Sequence, residues 1–206
     1  MAFGLDYSDR VQPTVAKEMG ATFVARYVGY FSGYDINNIA KEQSKCLTPQ
    51  EASELMSMGI GIVSVYEWYG ARPSIYNAGS AAASFAAGQW DAHTAGIIHT
   101  TCGGPQQAPI YFCVDYDSPG TETIDYFIGV ASVLGIGRVG AYGGYRSIKY
   151  LLDNSLVSWA WQTYAWSGNS LDPRANIYQY DNGVILADGS EGDYNDSKTP
   201  KYGSWK

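Results

Sequence analysis

The run YFCVDYDSPG (residues 111–120) places two aspartates, Asp115 and Asp117, two positions apart after an apolar stretch. Side chains on a β-strand alternate with period two, so both carboxylates leave on one face with Cα atoms about 6.6 Å apart. Like charges held that close, without counter-ions, push one proton affinity upward. A carboxylic acid beside a carboxylate suits cleavage of a glycosidic bond. One group protonates the leaving oxygen while the other stabilises or attacks the cationic ring. Asp6 in FGLDYS (3–8), Glu67 in GIVSVYEW (61–68) and Asp193 in EGDYND (191–196) also fall at the ends of short apolar runs or inside alternating ones.

Such scattered acids need a scaffold to meet. The sequence alternates short apolar runs with helical segments: 3–8, then helix 14–20; 23–28, then helix 47–59; 61–68, then helix 80–98; 108–117, then helix 121–135; 138–145, then helix 146–154. Thr48, Pro49 and Glu51 mark the second helix start as N-cap, first helical residue and capping-box partner. After residue 155 the helices stop, while 158–168, 175–183 and 191–196 still read as strands. Nearly continuous apolar strands alternating with helices imply parallel pairing buried on both faces. The fold class predicted is α/β: an irregular TIM-like barrel of about five βα units followed by three strands with few or no helices. It forms a single domain over 1–206, with 197–206 as a tail or linker stub.

Barrels of this kind build their sites at the C-terminal strand ends. Ring closure then makes Asp6 and Asp193 neighbours, across a cavity from Asp115 and Asp117, with Glu67 one strand away. Trp68, Tyr142, Trp161 and Trp166 surround them, with Gln162 on strand six and Gln179 and Asp181 on strand seven. Aromatic faces pack well against the apolar faces of sugar rings. Arg26, on strand two, is placed to act as counter-ion to the acids. Asp181, in the turn sequence YDNG, reads as a loop start.

The net charge of −7 and the lack of a Lys/Arg cluster exclude nucleic acid as partner. Three cysteines without a CxxC pair read as reduced thiols. No cofactor and no metal are implied: His93 and His99 have no metal-ligand spacing and read as partly exposed polar residues on a helix. Cys113 reads as a small buried hydrophobe, Cys102 as a loop residue. GAYGGY (140–145) lacks the spacing of a phosphate loop. No run is long enough to insert in a membrane. MAFGLDYSDR lacks the pattern of a signal peptide, which predicts a protein made in the cytoplasm without a leader and acting at the cell wall after release; a monomer is expected.

Three motifs occur in order, DYS (6–8), DYD (115–117) and DYN (193–195), with YQYDNG (178–183) before the last. Together they resemble the glycoside-hydrolase-like domain family found in mycobacterial and actinobacterial proteins and in phage lysins, which is similar to the family 25 muramidases. The resemblance covers essentially the whole chain. It implies hydrolysis of the glycan backbone of bacterial peptidoglycan, as in a phage endolysin, or a glycan-binding barrel that has lost catalysis. The muramidases carry their general acid as the Glu of D-x-E, and here that position is Asp117. Its oxygens reach about 1.5 Å less far, and a misplacement of about 1 Å can cost a hundredfold in rate. Asp117 or Glu67 is therefore the expected proton donor. Asp115 would stabilise charge or orient an N-acetyl group, and Asp6 and Asp193 would position that group or water.

Overall fold

Alternation within each strand divides its side chains between the inside of a ring and the helices around it. The computed structural model describes residues 1–29, 45–67 and 79–206. The elements run β1 (Phe3–Asp6), α1 (Pro13–Glu18), β2 (Phe23–Tyr27), α2 (Pro49–Ser57), β3 (Gly61–Tyr66), α3 (Ala81–Thr101) and β4 (Ile110–Val114). They continue with α4 (Ile124–Leu134), β5 (Val139–Gly143), α5 (Tyr145–Asp153), β6 (Trp159–Thr163), β7 (Ile177–Ile185) and β8 (Glu191–Ser197). The strands close a barrel in sequence order. β1 to β7 pair in parallel, and β8 is antiparallel to both neighbours. This is the α/β barrel the sequence predicts, with five helices among the described residues and none between β6 and β7.

Ala25, Val63, Val65, Tyr111, Trp161 and Ile177 fill the barrel interior, while Leu5, Val24, Ile62, Phe112, Val114 and Ala141 pack outward against the helices. Gly4 is required at its position: a Cβ there would lie 2.3 Å from the Phe23 ring inside the barrel. Thr48 caps α2 by accepting the Glu51 N–H at 3.1 Å, as the capping motif predicts. The Glu51 side chain, however, turns away from the cap to meet Arg26. No helix among the described residues is long and apolar enough to cross a membrane.

α3 and α4 approach through glycines. A Cβ on Gly88 would lie 2.1 Å from the Tyr126 carbonyl oxygen, and one on Gly129 2.1 Å from that of Phe85. Gly129→Ala gains about 1 kcal/mol of helix propensity, but it must push the two helix backbones apart, an overpacking loss of about 1–3 kcal/mol. We expect the loss to dominate, seen as a lower urea midpoint with an unchanged slope.

Residues 197–206 are expected as a tail or stub; instead Ser197 ends β8 and 198–206 close the N-terminal end of the barrel. Trp205 is buried and bridges to Ile62 through backbone hydrogen bonds of 2.8 and 2.9 Å. Its indole N–H donates to Ser64 Oγ at 3.0 Å. Tyr111 donates to the Tyr202 carbonyl at 3.0 Å, and the Tyr202 ring packs on Phe23. The physical reason is the open base of the ring, where Phe23 and Tyr111 would otherwise face water. His99 belongs to the same cluster. It is fully buried, with Nδ1 2.7 Å from Ser64 Oγ and Nε2 3.0 Å from the Pro105 carbonyl. It is therefore a structural residue and not the partly exposed one expected.

Candidate active site

The site forms where inward-facing positions run out at the C-terminal strand ends. A cavity of about 100 Å3 there is lined by Asp6, Tyr27, Val65, Glu67, Cys113, Asp115, Tyr142, Trp161, Gln179 and Asp193. Strand parity explains the set: Val65 and Glu67, Cys113 and Asp115, and Ala25 and Tyr27 are each two apart. β8 runs in reverse, so Asp193, near its start, lies directly opposite Asp6 at the end of β1.

Four predicted acids meet here: Asp6, Glu67, Asp115 and Asp193. Asp117 does not. β4 ends at Val114, so the period-two rule stops before the second aspartate and the bend carries Asp117 outward. Exposed, it pairs with Arg146 Nη2 at 2.6 Å. Arg26 is the second correction. It sits between the inward residues Ala25 and Tyr27 and so faces the helices, fully buried, with Nε 2.6 Å from Glu51 and Nη1 2.6 Å from the Tyr7 carbonyl. Gln162 likewise points out of the barrel. Its amide donates to the Ser170 carbonyl at 2.7 Å and accepts the Asp172 N–H at 2.9 Å, which fixes the loop after β6. Trp166 is exposed on that loop, outside the cavity lining, with the left-handed φ of 55°. Trp68 lies outside the described residues.

The counter-ion is Lys45, whose ammonium pairs with Glu67 and lies 4.3 Å from the centre of the Tyr27 ring. Sequence reading missed both. Tyr27 shares parity with Ala25, a signal that was present, but Lys45 reaches the site from a loop and carried none. Tyr142 and Trp161 are inward as predicted but buried. The Tyr142 hydroxyl donates to Gln179 Oε1 at 2.8 Å, and the Trp161 indole to Asn195 Oδ1 at 2.8 Å. Gln179 Nε2 donates to Asp6 at 3.1 Å and to Asp193 at 2.9 Å, and Asn195 Nδ2 to Asp6 at 2.6 Å.

Burial, and then the facing Asp193, hold the Asp6 carboxyl well above the usual carboxylate range. Asp193 is also raised, chiefly by burial and against the Gly183 N–H bonded to it. Asp115 is pushed up to about 6, first by burial and then by Glu67, with Lys45 opposing. A carboxyl raised in the folded state destabilises that state increasingly as pH rises from the unfolded value to the folded one, and does nothing well below the unfolded one. Asp115→Asn should therefore melt higher than wild type above pH 6, and at the same temperature well below pH 3.8, where Asp115 is protonated in both states. Thermal melts across that range check this.

Residues 15–196 match the model of the family described as Rv2525c-like, glycoside hydrolase-like domain. The chain belongs to that family. A relative in Mycobacterium tuberculosis (strain ATCC 25618 / H37Rv), named "Putative peptidoglycan hydrolase Rv2525c", is 29% identical over 164 residues, 75% of this chain and 65% of the relative. The crystal structure of the Tat-secreted Rv2525c from M. tuberculosis matches with a TM-score of 0.86 and 26% identity, over 100% of this chain and 99% of that one. A muramidase from Trichobolus zukalii shares the fold at 13% identity and a TM-score of 0.61, over 96% of this chain and 93% of the other. That Rv2525c is Tat-secreted overturns the expectation of a leaderless product held in the cytoplasm. The opening residues of this sequence do not bear on export.

Proposed function

We propose that this barrel is a glycosidase acting on the glycan backbone of bacterial peptidoglycan. The observation that carries the reading is the meeting of Asp6, Glu67, Asp115 and Asp193 in one small cavity at the catalytic end of a glycoside-hydrolase-like barrel. The hydrolase name of the M. tuberculosis relative supports the substrate class.

Asp115, and not Asp117, is the proton donor in this reading. It lines the cavity, and its raised proton affinity keeps it protonated into mildly acidic solution. Glu67, paired with Lys45, supplies the negative charge that stabilises a developing oxocarbenium ion. The deciding experiment incubates the protein with purified cell walls and measures new reducing ends. Release of reducing ends that Asp115→Asn and Glu67→Gln each abolish supports the proposal. Binding to the walls without reducing ends would identify a glycan-binding barrel instead, and a Glu67→Gln protein as active as wild type would remove Glu67 from the mechanism.

A further inference from the structure

Asp6 and Asp193 are opposed across the antiparallel β1–β8 pair, and one amide group, that of Gln179, donates to both. Two carboxylates so close hold a proton between them, since both cannot stay charged. The donors around the pair say where it sits. Asp193 Oδ1 accepts the Gly183 N–H at 2.9 Å, and its Oδ2 accepts from Gln179. Asp6 Oδ2 accepts from Gln179 and from Asn195. Three of the four oxygens are thus met by N–H groups, which favour a bare, charged oxygen. Among the described residues no N–H group donates to Asp6 Oδ1.

The two amides are not free to turn round. Indole N–H is a donor only, so Trp161 forces Asn195 Oδ1 toward itself and the amide NH2 toward Asp6. Gln179 reversed would set its carbonyl oxygen against two carboxylates, and the Tyr142 hydroxyl already donates to that oxygen. Other charges near the pair are mostly of one sign: Glu191 and Asp181 act on Asp193, and Asp193 in turn acts on Asp115. Lys45 bonds Glu67.

We propose that Asp6 and Asp193 form a single unit holding one proton on Asp6 Oδ1, aligned by Gln179 and Asn195, with Trp161 as the positioning residue that fixes Asn195. The cavity then contains, besides Asp115, a neutral carboxylic acid at Asp6, whose proton is donated in a hydrogen bond to Asp193 so that the pair carries one negative charge. Burial of Asp6 works in the same direction.

The test is carbon-13 NMR titration of aspartate-labelled protein without substrate, so that its outcome is separate from whether the barrel cleaves glycan. At about pH 6, where an ordinary aspartate is fully ionised, one carboxyl besides that of Asp115 should show a protonated-type shift. Asp6→Asn, isosteric and without that proton, should remove this signal. A wild-type spectrum with every cavity aspartate except Asp115 ionised would overturn the proposal, as would a signal assigned to a protonated Asp193 that persists in Asp6→Asn. Trp161→Phe frees Asn195 to rotate away from Asp6. Losing a donor to the charged form raises the Asp6 midpoint by about one pH unit. An unchanged midpoint in a Trp161→Phe protein that still melts cooperatively would overturn the positioning role.

Discussion

Asp115→Asn should release reducing ends from cell walls at least about a hundredfold more slowly than wild type, the usual loss when a general acid is removed. Asp117→Asn, by contrast, should stay within about twofold, because an exposed pair such as Asp117–Arg146 contributes little. The contrast turns on where β4 ends. Were Asp117 the donor, the two variants would change places. The pH profile gives an independent reading of the same assignment. An acid titrating at about 6 is competent below that value, so the wild-type rate should fall on the alkaline side as pH rises through it. Glu67→Gln should lose rate at every pH tested, since the charge it removes is not the proton being delivered. Retained activity in Asp115→Asn would return the donor role to Glu67.

Trp205→Ala should cost about 3–5 kcal/mol, the range for truncating a buried tryptophan. For a domain of this size that corresponds to a fall in Tm of about 10 °C. The indole is buried in the layer between the barrel and its helices, packs edge-on against His99 at 5.4 Å and donates to Ser64. Its removal leaves a cavity and takes a donor from a buried hydroxyl. A solvated tail would give no such effect, so calorimetry on this single variant separates the two descriptions of residues 198–206. Because the site lies at the opposite end of the strands, activity per folded molecule well below the new Tm should be unchanged.

Local pattern was enough to read the scaffold. Capping at Thr48, helix stops at glycines, apolar runs of strand length and the disappearance of helices after residue 155 each report on a few consecutive residues. Order along the chain did the rest: because neighbouring strands pair in sequence order, Asp6 and Asp193 had to meet when the ring closed, and Glu67 and Asp115 had to share their end of it. Three things were decided only by the tertiary structure. Where β4 stops is a matter of loop geometry, and that single bend sends Asp117 to Arg146. Arg26 lies among inward-facing neighbours by type but outward by parity, and its charge is satisfied by Glu51, a residue whose local pattern promised a helix cap. Residues 198–206 carry too little apolar periodicity to announce themselves, since what they cover is created by eight strands from elsewhere in the chain. Short-range chemistry is written in adjacent residues, whereas counter-ions, plugs and the sharing of a proton depend on distances that exist only after the barrel has closed.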